Sequence, residues 1–473
     1  MGLFTKKPFA DLQAEAERGL LRRSLGPWHL IALGIGCIIG TGIFVLTGTA
    51  AAQNAGPALV LSMVISAVGC AFAGLCYAEF AAMVPVAGSA YTYAYATVGE
   101  IFAWIIGWDL ILEYALSVST VAVGWSGYFV SLARDLGFVV PAALAGPTAG
   151  VNLPAMVIVL VVAALLIVGV KESADTNAWL VAIKSVVLIV FIVAGWSYIN
   201  RANLTPLVPP NTGRFGEFGW SGVLRGAGVM FFAFIGFDAV STAAQEAKNP
   251  ARDMPIGILG SLAICTIIYI LVAIVLLGIV PYQQLNVADP LAVGIDATGL
   301  KWLSPVIKAA ALFGLFSTML VNLLAQTRIF YSMSRDGLLP RVFGRVHPRY
   351  RTPHVSTILT GGIIALAAGL TPIGVLSQLV SIGTLLAFVL VCIGIIVLRR
   401  TAPDAPRPFR TPAVPAVPIA GAAICLAQMI GLPLATWERL FIWLAIGLVI
   451  YVAFGRRHAL TSLTKIDSRA PVV

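Results

Sequence analysis

Charged residues are scarce in this chain. Only 11% of its 473 residues are Asp, Glu, Lys or Arg, and 59% are hydrophobic, whereas about 25% of the residues in a soluble globular protein are charged. This scarcity excludes an ordinary water-soluble protein. Because about 20 apolar residues cross a bilayer, the composition predicts an all-α integral membrane protein with short connections and no large soluble domain.

The sequence also lacks the short motifs of common enzymes. It contains no HExxH, GxSxG, Walker loop or phosphate-binding GxGxxG, and its four histidines are far apart, so no residues support an enzymatic reaction. The six cysteines lie in apolar stretches without CxxC or CxxxC spacing, which indicates core residues rather than a metal site or disulfides. We therefore expect neither an enzyme nor a cofactor.

The excess of positive charge is spread along the chain. The formal net charge is +10, but Lys and Arg lie between the apolar runs and form no single basic patch, so no nucleic-acid partner is expected. Residues 1–26 carry five Lys or Arg without an apolar core or a cleavage site. This pattern predicts a cytoplasmic, amphipathic segment and no removed signal peptide.

Twelve apolar runs are long enough to cross a membrane. We number these runs as membrane spans, starting from a cytoplasmic N-terminus. Of the 30 Lys and Arg, 22 then lie on the same side of the membrane as the two termini, six lie on the opposite side and two lie inside spans. Positive residues favour the cytoplasmic side, so we expect a multi-pass protein of the plasma (inner) membrane with both ends, including the tail 456–473, in the cytoplasm. The runs lie near 28–51, 57–83, 101–130, 153–170, 176–199, 220–243, 257–280, 303–333, 355–371, 374–398, 414–432 and 436–454.

Two spans contain residues that weaken a helix at mid-membrane depth. Span one has four glycines in nine residues, from Gly34 to Gly42, and each costs a helix about 1 kcal/mol relative to alanine. Such glycines indicate either close packing of helices or an unwound segment. Span six places Gly236 and Asp238 among aromatic residues at a corresponding depth.

Interruptions at matching positions predict a transporter built from two inverted repeats. Residues 27–200 (spans one to five) and 219–400 (spans six to ten) are the expected repeats, and residues 413–455 form two further helices. Unpaired backbone groups survive in a membrane only when they are buried in protein or face a watery cavity. Because half-helix N-termini suit a carboxylate and free carbonyls suit an ammonium group, we expect the cavity to bind both ends of an amino acid.

Four ionisable residues lie well inside the spans. Asp109 and Glu113 share one face of span three; a structural hydrogen bond is expected for Asp109, and a place on a functional path for Glu113. Lys184 is predicted to exchange a proton, because burial disfavours the charged amine; the alternative is a static salt bridge with Glu113 or Asp238. Asp238 either caps the resumed helix or takes part in gating.

Four motifs follow one another along the chain. They are Gly34 to Gly48; Tyr77-Ala78-Glu79-Phe80 with Pro85, Gly88, Ser89 and Tyr91; Gly236-Phe237-Asp238-Ala239 continuing to Glu246, Asn249, Pro250 and Pro255; and Ser334-Arg335-Asp336-Gly337-Leu338-Leu339-Pro340. Together they resemble the amino acid/polyamine/organocation superfamily, and most closely its cationic amino acid transporter branch. The resemblance covers nearly the whole chain and implies a five-plus-five inverted repeat with two extra helices.

The resemblance also implies roles for individual residues. The backbone of Gly40-Thr41-Gly42 would hold the substrate carboxylate. Lys184 would stand where sodium lies in sodium-driven relatives, which implies symport with H⁺ and not Na⁺. Glu113 matches an acidic position near the binding site. The carbonyl groups implied to hold the amino group are those of Ile38, Phe232, Ala233 and Ile235.

These features predict a proton-coupled symporter that imports L-amino acids, cationic or small neutral, by alternating access. Around Phe234 and the span-eight residues Leu320, Asn322 and Leu323, only Glu113 and Asp238 offer a carboxylate to a cationic side chain, so a neutral substrate stays open. The alternatives are an exchanger of amino acids for amines or polyamines and a receptor that does not transport. The expected partners are the amino acid and membrane lipid, and a small membrane subunit is left open.

Overall fold

The computed structural model describes residues 25–83, 89–146, 150–169, 174–300, 302–350 and 352–455. Across these ranges the chain is helical and contains no β-strand, only an isolated parallel bridge between Leu25 and Ala247. The prediction of an all-α protein is confirmed. Residues 1–24 of the predicted N-terminal segment, Pro85 and Gly88 of the second motif, and the tail 456–473 lie outside the described residues.

The principal helices follow the predicted spans. In the described part of the chain, eight helical stretches are long and apolar enough to cross a membrane, and four shorter apolar helices accompany them. The chain is therefore a multi-pass membrane protein. In chain order the helices are α1 Pro27–Ile38, α2 Leu59–Met83, α3 Glu100–Asp135, α4 Leu153–Val168, α5 Ala174–Trp196, α6 Gly219–Met230, α7 Pro250–Ile279, α8 Leu303–Arg335, α9 His354–Leu370, α10 Ile373–Thr401, α11 Ala416–Gly431 and α12 Leu434–Ile450.

Helices α1 and α6 are short because both predicted spans are interrupted. The remaining parts of these spans are separate helical pieces, and other short helices lie in the connections. The pieces of span one are Gly42–Leu46, Thr47–Ala50 and Ala51–Ala55; those of span six are Phe231–Phe234 and Asp238–Glu246; and the connecting helices include Ser89–Thr97, Ala142–Ala145 and Pro290–Ala297.

The ends of α4 show how local sequence sets helix boundaries. The side chain of Asn152 accepts the N–H of Ala155 at 3.2 Å, and a proline occupies the first turn. The helix stops at Gly169, whose φ of 85° lies in the left-handed region. An Asn cap, an early proline and a terminal glycine are the residues that begin and end helices most favourably.

The interrupted helices lie within the helical bundle. Helix α3 packs against α8 and α10, while α7 packs against both α1 and α2. Small residues allow this close approach, since a Cβ at Gly257 of α7 would lie only 2.7 Å from Leu30 Cβ of α1. The breaks in α1 and α6 are therefore surrounded by protein, as unpaired backbone in a membrane requires.

Helix α12 is fixed to α3 by paired tryptophans. The indole N–H of Trp108 donates to the carbonyl of Trp443 at 2.8 Å, and the indole N–H of Trp443 donates to the carbonyl of Trp108 at 3.2 Å. The two rings are stacked with centroids 4.4 Å apart. Because Trp104 also donates to the carbonyl of Gly447 at 2.9 Å, α12 is attached to α3 over about one helical turn.

A buried charge cluster ties α2 to the segment that follows α10. Glu79 is fully buried and accepts hydrogen bonds from Arg399 Nε at 3.0 Å and Nη2 at 2.9 Å. Arg407 Nε lies 3.3 Å from Glu79 Oε1, and the N–H of Thr411 donates to Oε2 at 2.7 Å. The carboxylate thus orders residues 402–415 against α2, because a buried charge is tolerated only when it is paired and hydrogen-bonded.

We expect Glu79→Gln to destabilise the protein. Removing one partner of a buried ion pair leaves uncompensated charge and costs roughly 3–5 kcal/mol, so the midpoint of thermal unfolding in detergent should fall. Arg400→Gln is the matched control, because Arg400 is the exposed neighbour on the same helix and its replacement should leave the midpoint unchanged. Equal midpoints for Glu79→Gln and the unmodified protein would contradict the prediction.

Candidate functional site

The first break separates α1 from the helix that resumes at Gly42. Ile39 follows α1 in an extended conformation with a ψ of 99°. The carbonyl of Gly40 then accepts the N–H groups three and four residues later, at 3.2 and 3.3 Å. The N–H groups of Thr41 and Gly42 thus lie in the first turn of the resumed helix, where N–H groups have no intrahelical acceptor.

The second break follows α6. Phe231–Phe234 forms a 3₁₀ turn, Ile235 is extended with a ψ of 139°, and Gly236 has a φ of 118°. Only glycine adopts that last conformation without strain. The chain resumes over Asp238–Glu246 as a 3₁₀ helix. Both interruptions lie in the glycine-containing stretches that stand out in the sequence.

The two breaks touch each other at glycines. A Cβ at Gly42 would overlap the backbone of Ala233, and a Cβ at Gly236 would lie 2.9 Å from the carbonyl carbon and Cβ of Cys37. Each break therefore supplies one glycine that lets the backbone of the other break approach closely. Glycine is required at both places because any side chain would separate the two backbones.

A small cavity of about 20 Å³ lies beside this contact. This volume holds about one water molecule and is far below the roughly 300–1,000 Å³ of ligand pockets, so the cavity must widen before an amino acid can enter. Residues of both breaks line it together with side chains of α3 and α8. The lining residues are Cys37, Ile38, Gly40, Thr41, Gly42, Ser117, Val121, Phe232, Ile235, Thr318 and Asn322.

The structure brings together six of the seven residues predicted to bind the substrate backbone. The seventh, Ala233, is packed against Gly42 and does not line the cavity. Lys184, Glu113 and Asp238 are buried but are not among the lining residues. The six that line the cavity are Ile38, Gly40, Thr41, Gly42, Phe232 and Ile235.

Lys184 reaches the first break from α5. Its ammonium group donates to the carbonyl of Ile39 at 3.0 Å and to the carbonyl of Gly36, and it lies 3.4 Å from Thr318 Oγ1. The stem of the side chain passes Gly314 of α8, where a Cβ would lie 3.3 Å from Lys184 Cβ. The ammonium thereby satisfies carbonyl groups that the end of α1 would otherwise leave unpaired.

Two tyrosines hold neighbouring carbonyl groups. The hydroxyl of Tyr269 on α7 donates to the carbonyl of Ile38 at 2.7 Å, and that of Tyr128 on α3 donates to the carbonyl of Phe44 at 2.7 Å. A carbonyl oxygen accepts two hydrogen bonds, so Ile38 keeps one acceptor position for a ligand. Sequence reasoning missed both tyrosines, because a tyrosine in an apolar span carries no signal of what it faces.

The predicted acidic residues lie next to the cavity rather than in its wall. Glu113 is one helical turn from the lining residue Ser117 on the same face of α3. Asp238 Oδ1 accepts the N–H of Gly236, just before the resumed helix, at 3.2 Å. Ser117 is a lining residue that sequence reasoning missed, although its spacing of four from Glu113 was a usable signal.

The lining groups define the chemistry that the cavity can perform. They provide backbone N–H and carbonyl groups, hydroxyls and one amide, but no charged side chain. Such groups can bind both ends of a zwitterion. In the part of the chain that the structure describes, no group of three or more His, Cys, Asp or Glu residues could hold a metal ion.

Comparison with known proteins identifies relatives over most of the chain. The family described as amino acid permease matches residues 25–454. The methylthioribose transporter of Bacillus subtilis (strain 168) is 45% identical over 463 residues, which are 97% of this chain and 99% of that protein. The branched-chain amino acid permease BcaP of the same organism is 46% identical over 466 residues, 97% of this chain and 98% of that protein.

A more distant relative represents the branch suggested by the sequence motifs. The vacuolar cationic amino acid transporter 4 of Arabidopsis thaliana is 38% identical over 388 residues, 81% of this chain and 64% of that protein. The resemblance to the amino acid/polyamine/organocation superfamily and its cationic amino acid transporter branch is thereby confirmed. Because these relatives are transporters and permeases, the prediction that the protein is not an enzyme is also confirmed.

We expect Gly42→Val to weaken amino acid binding. The new side chain would overlap Ala233 and force the two breaks apart, and overpacking of this kind costs about 1–3 kcal/mol, or roughly 5- to 150-fold in affinity. Isothermal titration of the purified protein with L-leucine measures the loss. Gly362→Val in α9 is the matched control, because that position faces open space. Unchanged affinity in Gly42→Val would show that the carboxylate site lies elsewhere.

Proposed function

Because the chain belongs to the amino acid permease family, we propose that it is a secondary transporter that imports L-amino acids together with protons by alternating access. The observation that supports this proposal is the cavity between two touching helix breaks. The N–H groups of Thr41 and Gly42 are suited to the substrate carboxylate. The carbonyl groups of Ile38, Phe232 and Ile235 are suited to its amino group.

The proposed substrates are neutral amino acids with short or branched aliphatic side chains. Val121, Phe232 and Ile235 give the cavity an apolar part, and its polar side chains are uncharged. A full-length relative is a branched-chain amino acid permease, which agrees with this chemistry. A cationic side chain would have to extend beyond the lining to Glu113, one turn further along α3.

Methylthioribose is a second candidate substrate. The relative named as its transporter is 45% identical over nearly the full length of both chains. Methylthioribose has no carboxylate and no amino group, so it would use the N–H and carbonyl groups of the breaks through its hydroxyls. The two candidates would therefore use the same backbone groups, one with charged and the other with uncharged partners.

The proposed coupling residue is Lys184. A charged ammonium has three donors, which match the two carbonyls and the Thr318 hydroxyl oxygen around it. A neutral amine has only two donors, so loss of the proton would release one of these contacts. Proton binding at Lys184 would thus change the backbone beside the proposed carboxylate site. An ammonium in this place also supports coupling to H⁺ rather than Na⁺.

The proposed architecture extends the observed helices. We assign twelve membrane spans, with helices 1–5 (residues 27–200) and 6–10 (219–400) as inverted repeats and residues 413–455 as the two additional spans. Both termini are placed in the cytoplasm at the plasma membrane, because Lys and Arg are concentrated in the connections on that side. Alternating access would then occur by movement of one group of helices against the other around the breaks.

A binding screen tests the substrate class. We expect leucine, isoleucine and valine to stabilise the purified protein most among the twenty L-amino acids, because ligand binding raises the unfolding midpoint. Arginine, lysine and methylthioribose are tested in the same series. A larger shift with arginine would favour the cationic class, and a shift with methylthioribose but with no amino acid would overturn the zwitterion site.

We expect Lys184→Ala to abolish proton-driven uptake while leaving some exchange. In proteoliposomes with an alkaline interior, the unmodified protein should accumulate L-leucine against its gradient, and the variant should not, because it has lost the group that binds the coupling proton. Exchange of internal for external leucine measures the remaining transport. Undiminished uphill uptake in Lys184→Ala would discard the coupling role.

The same vesicles distinguish the symporter from an exchanger. Accumulation by the unmodified protein that needs internal leucine or an amine, and ignores the pH gradient, would identify an exchanger. Binding without flux in either mode would identify a receptor.

A further inference from the structure

A stripe of polar side chains leads away from the cavity along α3. Asp109, Glu113 and Ser117 follow each other at intervals of four residues, so they lie on one face of the helix and are spaced about 6 Å apart along its axis. Ser117 lines the cavity. The other two residues continue toward the end of α3 at Glu100, which is the cytoplasmic end in the proposed topology.

The acidic groups of this stripe are buried and poorly satisfied by protein. Among the described residues, neither oxygen of Asp109 has a hydrogen-bond partner, and Glu113 Oε1 also has none. Both side chains are only 1% exposed. Buried polar atoms in proteins are bonded to protein or to water, so a region with several unpartnered oxygens is suited to water molecules and protons.

Two tyrosines provide an independent sign of the same region. Tyr77 of α2 and Tyr114 of α3 are nearly fully buried, and their hydroxyls have no hydrogen-bond partner in the described structure. Tyr114 directly follows Glu113 in α3, and Tyr77 belongs to α2, so unpartnered polar atoms are supplied by two helices.

Asp109 faces a position that has room for its carboxylate. A Cβ at Gly383 of α10 would lie 2.6 Å from Asp109 Oδ1 and 3.3 Å from Oδ2. The glycine therefore leaves the space that the carboxylate occupies between α3 and α10. The titratable groups near the neighbouring Glu113 are Asp238, Asp109, Tyr77 and Tyr114, and the Thr384 side chain of α10 is its hydrogen-bond partner.

We propose that Asp109 carries the coupling proton between Glu113 and the cytoplasm. This inference rests on the proposed proton symport and adds a residue to it. Glu113 loses a proton and becomes a carboxylate, a water molecule passes the proton on, and the Asp109 carboxylate accepts it to form the carboxylic acid. Asp109 then releases the proton to cytoplasmic water, so that no other reactant is needed.

The ionisable residues buried near the breaks agree with a proton-carrying role for Asp109. Asp109, Glu113 and Asp238 are three buried acids around the breaks, and Lys184 is the nearby buried base at the first break. An isolated charge in this environment is costly. Protons on the acids remove that cost, and a proton that moves along the stripe leaves the total charge unchanged.

The test is Asp109→Asn in proteoliposomes that contain the full-length protein. We expect the rate of L-leucine uptake driven by a pH gradient to fall by about 10²-fold, the lower limit for a positioned proton-transfer group. Leucine exchange should be unchanged, because exchange requires no net proton movement. Asp109→Glu should restore part of the driven uptake, and the pH dependence of uptake should flatten only in the asparagine variant.

Two further variants keep the experiment decisive. Gly383→Ala displaces the Asp109 carboxylate without removing it, and we expect it to slow driven uptake while exchange persists. Asp253→Asn is the matched control, because Asp253 is a buried acid at the start of α7 that accepts the N–H of Asn249 at 3.1 Å. It should leave coupling unchanged.

The possible outcomes separate this inference from the proposed function. Full driven uptake in Asp109→Asn, or equal loss of uptake and exchange in that variant, would overturn the proton-carrying role while symport by the unmodified protein stands. If the unmodified protein exchanges leucine but shows no uptake driven by the pH gradient, the proposed symport itself is wrong and the role of Asp109 falls with it.

Discussion

Backbone hydrogen bonding in a bilayer is the constraint on which this structure depends. A membrane span can leave its N–H and carbonyl groups unpaired only where protein or water replaces the helical partners. Here two spans break at the same place, and glycines bring the breaks into direct contact: Gly42 against Ala233 and Gly236 against Cys37. Each break thereby protects the other from lipid, and a small cavity lies beside them, lined also by side chains of α3 and α8.

The side chains around the first break replace the bonds that the helix lost. Lys184 donates to the carbonyls of Gly36 and Ile39, and Tyr269 donates to that of Ile38. The end of α1 is thus paired even though the helix has stopped. By contrast, the N–H groups of the resumed helix remain in its unpaired first turn. The N–H groups of the resumed helix are therefore more available to a ligand than the carbonyl groups at the end of α1, and N–H groups suit an anionic group.

Two regions away from the cavity are held by directed hydrogen bonds. At the end of α2, Glu79 accepts hydrogen bonds of 2.7–3.0 Å from Arg399 and from the N–H of Thr411, and the paired tryptophans fasten α12 to α3. Near the cavity, Asp109 and Glu113 keep oxygens without protein partners. These oxygens give the region beside the cavity hydrogen-bonding capacity that a ligand, water or a proton can use.

The relatives do not all carry the same kind of substrate. Full-length relatives of nearly equal identity are named for methylthioribose and for branched-chain amino acids, and a cationic amino acid transporter matches most of the chain. In this chain the cavity is lined by backbone groups of both breaks together with a few side chains such as Val121 and Asn322.

The helical membrane class and the positions of both interruptions follow from the amino-acid sequence alone, whereas six of the lining residues were implied by the resemblance to the amino acid/polyamine/organocation superfamily. Apolar length and clustered glycines act locally, so they can be read without knowing which helices are neighbours. Only the tertiary structure decided that Tyr269, Thr318 and Ser117 meet the breaks, and that Ala233 packs against Gly42 instead of lining the cavity. Those contacts depend on which faces of distant helices oppose each other. Because the spans are apolar on nearly all sides, their sequences do not indicate which faces meet.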